Sequence, residues 1–317
     1  MSNAKRGFIF PGQGSQRVGM GRELAEAFGA ARAVFDEIDD ALDQPLSKLM
    51  FEGPEDELTL TRNAQPALLA VSLAAARALE AEGGFSLADK CAYVAGHSLG
   101  EYSALAAVGS LSLTDAARLL RRRGRAMQQA APVGVGAMAA LLGIDIEAAA
   151  TIAEAAAEGL VCSAANDNAP GQVVISGARE AVMRAMALAP DHGARRCIEL
   201  PVSAPFHCAL MAPAAEVMAE ALAETALVAP AAPLVANVSA RAESEPDRIR
   251  ALLVEQVTAM VRWRESVLFM RDNGVGSLIE LGAGKVLSGL ARRIDRELVG
   301  VSMEQPDEMA ALLEVLA

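Results

Sequence analysis

The four cysteines of this 317-residue chain, Cys91, Cys162, Cys197 and Cys208, form no C-x-x-C pair, and no metal site is expected from them. Nothing at the N-terminus resembles a signal peptide, so reduced thiols in a cytoplasmic protein are expected. Long apolar runs are missing too. The run Ala67–Ala76 carries Ser72 and stops at Arg77, well short of the ~18 residues a membrane span needs. Positive charge is in deficit, 28 Lys and Arg against 40 Asp and Glu for a net charge of −12, which argues against general nucleic-acid binding. There are no internal repeats, and no low-complexity tract beyond Ala-rich helices. Met1-Ser2-Asn3-Ala4 is set aside from the fold reading as an expression remnant.

What is present is a globular composition, 53% hydrophobic and 21% charged, in a chain long enough for two structural units. Gly7–Phe10, Cys91–Ala95, Leu234–Val238, Ser277–Leu281 and Val299–Ser302 read as strands alternating with helices, which predicts a parallel α/β sheet. Between Met138 and Leu200 the pattern changes. Strands at Met138–Leu142, Leu160–Ala165, Gln172–Ser176 and Arg196–Leu200, with helices at Ile146–Ala157 and Arg179–Leu188, give the order β-α-β-β-α-β of a ferredoxin-like unit. Pro132-Val133-Gly134 and Pro201 read as hinges around it. The expected division is a discontinuous catalytic domain of residues 5–131 and 203–317, with 132–202 as the insert.

Chemistry concentrates at Gly96-His97-Ser98-Leu99-Gly100. A serine between a short strand and a helix from Glu101 to Val108, with glycine two before and two after, is a nucleophile elbow. Backbone N–H groups at such a helix start can hold an oxyanion. Two nucleotide-binding readings fail. The loop after the first strand has Arg17 where a third glycine belongs, and Gly282-Ala283-Gly284-Lys285 lacks both the upstream glycine and the hydroxyl of a phosphate loop.

Three histidines are available as a base. His97 adjoins the serine, where side chains diverge, and reads as structural; His192 lies in the polar stretch Pro190–Gly193 and reads as exposed. His207 remains, in the segment that re-enters the parent domain after the insert, either as the base or as a hydrogen-bonded core histidine. Cys208 has nothing that marks it as a thiolate. The helix Asp115–Ala131 puts Ala116, Leu119, Leu120, Ala126, Met127 and Ala130 on one face, and Arg118, Arg121, Arg122, Arg125, Gln128 and Gln129 on the other. Arg123 points from the middle of the apolar face. Such a guanidinium needs an anion, either a substrate carboxylate or a buried Asp or Glu.

From end to end the chain resembles the malonyl-CoA:acyl carrier protein transacylase family. The resemblance is carried by Phe10–Gln16, Gln65-Pro66-Ala67, Gly96–Tyr102, Arg123–Gln128, Asn166–Gly177 and Glu280–Leu287. It implies an α/β-hydrolase-like core with a ferredoxin-like insert. It also implies malonyl transfer from malonyl-CoA to the phosphopantetheine thiol of acyl carrier protein, through a malonyl-serine. Ser98 would be the nucleophile and His207 its base, oriented by the main-chain carbonyl of Gln256. The N–H groups of Gln13 and Leu99 would form the oxyanion hole. Arg123 would grip the malonyl carboxylate, with Phe206, Gln65 and Asn166 also at the substrate. After Gln256 the chain reads Val257–Trp263, where bacterial relatives often carry an aromatic and a proline. No cofactor or metal is implied, and a monomer is expected. Alternatives from the same residues are a serine hydrolase or thioesterase, an acyltransferase of a polyketide pathway, and a non-catalytic carrier-binding module. Carrier proteins are acidic, so docking on a chain of net −12 would need a local basic face; Arg121, Arg122, Arg125, Lys285, Arg292, Arg293 and Arg296 are the candidates.

Overall fold

A computed structural model describes residues 5–132, 134–202 and 204–317. Its strands are β1 (Lys5–Phe10), β2 (Tyr93–Gly96), β3 (Gly136–Leu142), β4 (Cys162–Ala169), β5 (Gln172–Ala178), β6 (Arg196–Glu199), β7 (Leu234–Val235), β8 (Ala242–Glu243), β9 (Val275–Leu281) and β10 (Val299–Met303). They form two sheets, a mainly parallel one of order β10-β9-β1-β2-β7-β8 and a second of order β4-β5-β3-β6. The molecule is a mixed α/β protein.

In the first sheet every pairing from β10 to β7 is parallel, and β8 runs antiparallel to β7. This corrects the expectation of a strand over Leu234–Val238. The strand stops at Val235 because Asn237 turns inward, its Nδ2 donating to the Gly96 carbonyl at 2.8 Å. The chain then reverses, with Ala236 N–H donating to Arg241 O at 3.0 Å. Phe8, Ile9 and Phe10 of β1 are wholly buried, as expected for a parallel strand covered on both faces. One covering element is the helix Thr61–Gly83, which contains the apolar run and is buried along most of its length. A helix apolar on all sides belongs in a core; among the described residues none is long and apolar enough to cross a membrane.

The helix Leu113–Ala130 packs beside it, capped by Ser112, whose hydroxyl accepts from Asp115 N–H. Gly124 lets the two approach closely, since a Cβ there would sit 2.6 Å from Thr61 O. That contact corrects the expected faces of this helix: Arg121, placed outward by periodicity, is buried because the Thr61–Gly83 helix covers a wider arc than one apolar stripe.

The second sheet is antiparallel throughout. Its helices, Ile146–Ala157 and Arg179–Leu188, match the expected ranges. Alternation divides β3 between two cores. Ala137, Ala139 and Leu141 pack against those helices, whereas Met138 and Ala140 join the main core. The sheet is stitched to the rest at Val261, whose N–H donates to Ala165 O at 2.8 Å and whose carbonyl accepts from Asp167 N–H at 3.0 Å. Arg264 pairs with the buried Asp167 carboxylate at 2.8 Å beside this seam. Gly134 has φ +91°, in keeping with a turn at the first expected hinge. Val133 of that hinge, Ser203 at the second domain boundary and Met1–Ala4 lie outside the described residues.

Candidate active site

Parallel order directs the loops after β1, β2 and β7 to one edge of the sheet, where ligand sites of α/β proteins gather. Phe10 pairs with Gly96 and Val235 with Ala95, so Gln13, Ser98 and Asn237 meet a few residues beyond their strands. Ser98 has φ +53°, a left-handed conformation that costs a non-glycine residue about 1–3 kcal/mol. The flanking glycines are obligatory by space: a Cβ on Gly96 would lie 1.9 Å from Gly100 C, and one on Gly100 would lie 2.3 Å from Phe10 O. The serine therefore sits on a tight turn into the helix Gly100–Ala107.

His207 Nε2 stands 2.8 Å from Ser98 Oγ, and its Nδ1 stands 2.8 Å from the carbonyl of Gln256. A carbonyl can only accept, so Nδ1 carries the proton and Nε2 turns its lone pair to the serine. His207 is itself left-handed, at φ +59°, so both members of the pair are held in uncommon conformations. Burial, followed by the Arg123 charge, pushes the His207 pKa down to about 3, against the pull of its hydrogen bonds to the backbone of Gln256 and Ala259. It is a neutral imidazole, ready to accept a proton.

Arg123 is 1% exposed. Its Nη1 donates to Gln65 Oε1 at 2.9 Å, and its Nη2 to Gln256 Oε1 at 2.9 Å and Ser98 Oγ at 3.2 Å. Among the described residues no carboxylate lies within ion-pair distance of it, and its Nε has no hydrogen-bond partner. The alternative of a structural ion pair is thereby removed. Neutral carbonyls hold the guanidinium in place and leave its charge uncancelled.

Gln13, Gln65, Ser98, Leu99, Arg123, Asn166, Phe206 and His207 all line one cavity of about 430 Å³. Met138 from β3 joins them. Gln256 lies behind the lining, fully buried. Of the other histidines, His97 is bound at Nε2 to Asn168 Oδ1 at 2.9 Å, the structural role expected, and His192 is exposed.

Two residues that periodicity and spacing did not single out complete the arrangement. Asn237 Oδ1 accepts from Ser98 N–H at 2.8 Å, and Glu101 Oε1 accepts from Asn237 N–H at 2.6 Å. Glu101 Oε2 also accepts from Gln256 Nε2. The Gln256 amide is thus oriented, Nε2 toward Glu101 and Oε1 toward Arg123. Burial raises the Glu101 pKa to about 8, against the pull of Asn237, Arg123 and Gln256. The sequence held a sign of Glu101, a lone carboxylate in the otherwise apolar first turns after the elbow. Asn237 had none, because its partners are remote in the chain.

The basic face expected for docking is largely engaged. Arg122 pairs with Glu220 and Glu224, and Lys285 with Glu308. Arg293 donates to Gln172 Oε1 and Arg292 to Gly300 O.

A strained serine, a neutral imidazole aimed at it and a buried cation beside both can support acyl transfer through the serine. Residues 7–299 match the acyl transferase domain family, and the chain belongs to it. Within that class it is similar to malonyl transacylases. A malonyl CoA-acyl carrier protein transacylase of Escherichia coli strain K12 is 47% identical, the match covering 97% of this chain and 98% of the relative. The crystal structure of acyl-carrier-protein-S-malonyltransferase from Bartonella henselae is 55% identical with a TM-score of 0.96, covering 98% of this chain and 99% of that one. A malonyl-transacylase solved in complex with its type II PKS acyl-carrier protein is 42% identical at a TM-score of 0.95, covering 98% of this chain and all of that one.

A free imidazole gains its proton near pH 6.5, whereas His207 holds out to about 3. Phosphonylation of Ser98 by a fluorophosphonate probe, with loss of fluoride, should therefore show no inflection near pH 6.5, and a limb with that midpoint would count against His207 as a buried neutral base. Because the folded value lies below the unfolded one, the His207 contribution to stability is complete above pH 6.5 and is lost as pH falls toward 3.

Proposed function

We propose that this protein transfers the malonyl group of malonyl-CoA to the phosphopantetheine thiol of acyl carrier protein through a malonyl-Ser98 intermediate. The observation that carries the reading is the position of Arg123, 3.2 Å from the nucleophile. A malonyl carboxylate is separated from the reacting carbonyl by a single methylene, so a cation for it must stand almost on top of the serine. A simple hydrolase or thioesterase has no use for a cation there.

In the first half-reaction His207 Nε2 takes the Ser98 proton as Oγ adds to the thioester carbonyl. The N–H groups of Gln13 and Leu99 receive the oxyanion, and collapse expels CoA as the thiolate, which takes up the proton from the imidazolium. In the second half-reaction His207 takes the proton of the phosphopantetheine thiol. The thiolate adds to the malonyl ester, and the proton returns to Ser98 Oγ as the ester bond breaks. The Gln256 carbonyl fixes the tautomer but stabilises imidazolium less than a carboxylate would, so the oxyanion hole has the larger part. No cofactor or metal enters these steps. Gln65 orients Arg123, and Asn166 lines the cavity from the second sheet.

The architecture supports the finer description of an α/β-hydrolase-like core carrying a ferredoxin-like insert, divided as 5–131 with 203–317 and 132–202. What supports the insert reading is the strand order β6-β3-β5-β4 with two helices packed on one face. The four cysteines are unpaired, which suits a reducing, cytoplasmic setting.

Incubation with malonyl-CoA should add one malonyl mass to the intact protein, mapping to Ser98 and absent from Ser98→Ala; a label on Cys208, or none, would sink the assignment. Arg123→Ala should weaken malonyl transfer by about 2–4 kcal/mol, the scale of one buried charge-assisted contact. Acetyl transfer by the same variant should suffer far less, and a parallel loss of both rates together with the melting temperature would make Arg123 structural instead. Phe206 fills the cavity wall beside His207, in space an α-methyl would need. Wild type should prefer malonyl-CoA to methylmalonyl-CoA by roughly the 1–3 kcal/mol of one methyl, and Phe206→Ser should narrow that gap in a direct competition. An unchanged product ratio would show that Phe206 only packs.

A further inference from the structure

The helix that carries Arg123 also borders a second groove, of about 380 Å³, whose lining includes Lys48, Glu57, Arg62, Asn63, Arg121 and Arg125. None of these residues lines the Ser98 cavity. Four cations face one carboxylate there, and among the described residues Glu57 pairs with Arg62 alone, at 3.3 Å and in exposed surroundings. Arg121 is 7% exposed. Its Nη1 donates to Asn63 Oδ1 at 2.6 Å, while its Nη2 is buried with no hydrogen-bond partner among the described residues. Burial and the neighbouring charges of Arg125 and Arg62 push its pKa down to about 10. Elsewhere on this helix the cations are engaged, Arg118 with Ala41 O and Arg122 with Glu220 and Glu224.

The groove is also built rather than incidental. Asn63 Nδ2 donates to Glu57 O at 2.7 Å and Arg62 N–H donates to Gln128 Oε1 at 2.9 Å, fixing the helix start that presents Arg62. In a chain of net charge −12, leaving three arginines and a lysine around a single acid is the reverse of what composition would produce. A buried guanidinium short of an acceptor is stabilised by an oxyanion, and the planar forks of arginine suit phosphate oxygens.

We propose that this groove is a binding site for a phosphate-bearing ligand, with Arg121 and Arg125 as its principal donors and Lys48 and Arg62 completing the charge. A single carboxylate would leave most of that charge uncancelled, whereas a phosphate monoester or a diphosphate matches it. The phosphate comes either from the nucleotide end of a CoA thioester or from free phosphate in solution. The site stands on its own geometry, independent of the chemistry assigned to Ser98.

The test is calorimetric titration of the full chain with inorganic pyrophosphate, in wild type, Arg121→Gln and Arg125→Ser. Wild type should bind at low salt and more weakly as salt is raised. Each substitution should weaken binding by roughly tenfold, the loss of one charge-assisted contact. Without ligand, Arg121→Gln should melt at or above the wild-type temperature, because it removes an uncompensated buried charge; a lower melting temperature would make Arg121 a structural residue and count against the site. No heat of binding in wild type, or affinity kept in both variants, overturns the proposal. It is equally overturned if Arg125→Ser weakens binding of an acidic carrier protein while pyrophosphate never binds, since the face is then a protein-docking surface. Titration with CoA separates the two sources. Competition between CoA and pyrophosphate identifies the nucleotide end as the ligand, and undiminished pyrophosphate binding to the CoA-saturated protein identifies free phosphate. None of these measurements reads turnover, so a failure of the malonyl-transfer reading would leave them unaffected.

Discussion

Arg123 is a guanidinium buried to 1% exposure with no carboxylate against it among the described residues, and much of the site is arranged around keeping it there. Desolvating such a charge is costly, and a paired Asp or Glu would offset the penalty while cancelling the charge. The protein uses the side-chain carbonyls of Gln65 and Gln256 instead, with the Tyr102 ring 5.9 Å away. Carbonyl dipoles hold the cation in position and leave it able to meet an anion. Burial lowers the Arg123 pKa against the opposing pull of Tyr102 and Glu101, yet Glu101 is engaged with Asn237 and Gln256 rather than with the arginine itself.

Gln256 is the residue through which these demands meet. Its main-chain carbonyl accepts from His207, its side-chain oxygen accepts from Arg123, and its amide donates to Glu101 and the Ser98 carbonyl. One residue thus couples the imidazole, the cation and the nucleophile turn, so displacement of the Pro246–Glu255 helix end would disturb all three at once. Full burial of Gln256 and Asn237 makes every bond in the network expensive to leave unmade. This explains how Ser98 and His207 can both stay in left-handed conformations: their surroundings over-determine them.

The two sheets divide the work. The parallel-rich sheet brings Ser98, His207 and the network to one edge, while the antiparallel sheet contributes Met138 and Asn166 to the cavity wall. Alternation along β3 lets one strand serve both cores, so the wall is part of a packed sheet rather than a loose loop. The seam at Val261 and the Asp167–Arg264 pair hold that wall against the helix Trp263–Asp272.

Local pattern was enough for the elbow at Ser98, the β-α-β-β-α-β order and both of its helices, because strand-turn-helix geometry and side-chain period are properties of neighbouring residues. Elimination among three histidines reached His207, and the helical period exposed Arg123 as out of place. Whether Arg123 faced a structural carboxylate or open space was a question about residues 58 and 133 positions away, Gln65 and Gln256, and only the tertiary structure could decide it. The same holds for the burial of Arg121, for the two-residue length of β7, and for Asn237. Each is set by a partner distant in sequence, through the close approach allowed by Gly124 in one case and a side-chain bond across the sheet edge in the others. Periodicity reports which face of an element is apolar; how wide a face its neighbours will cover, and which polar groups they will leave unpaired, is settled only when the elements pack.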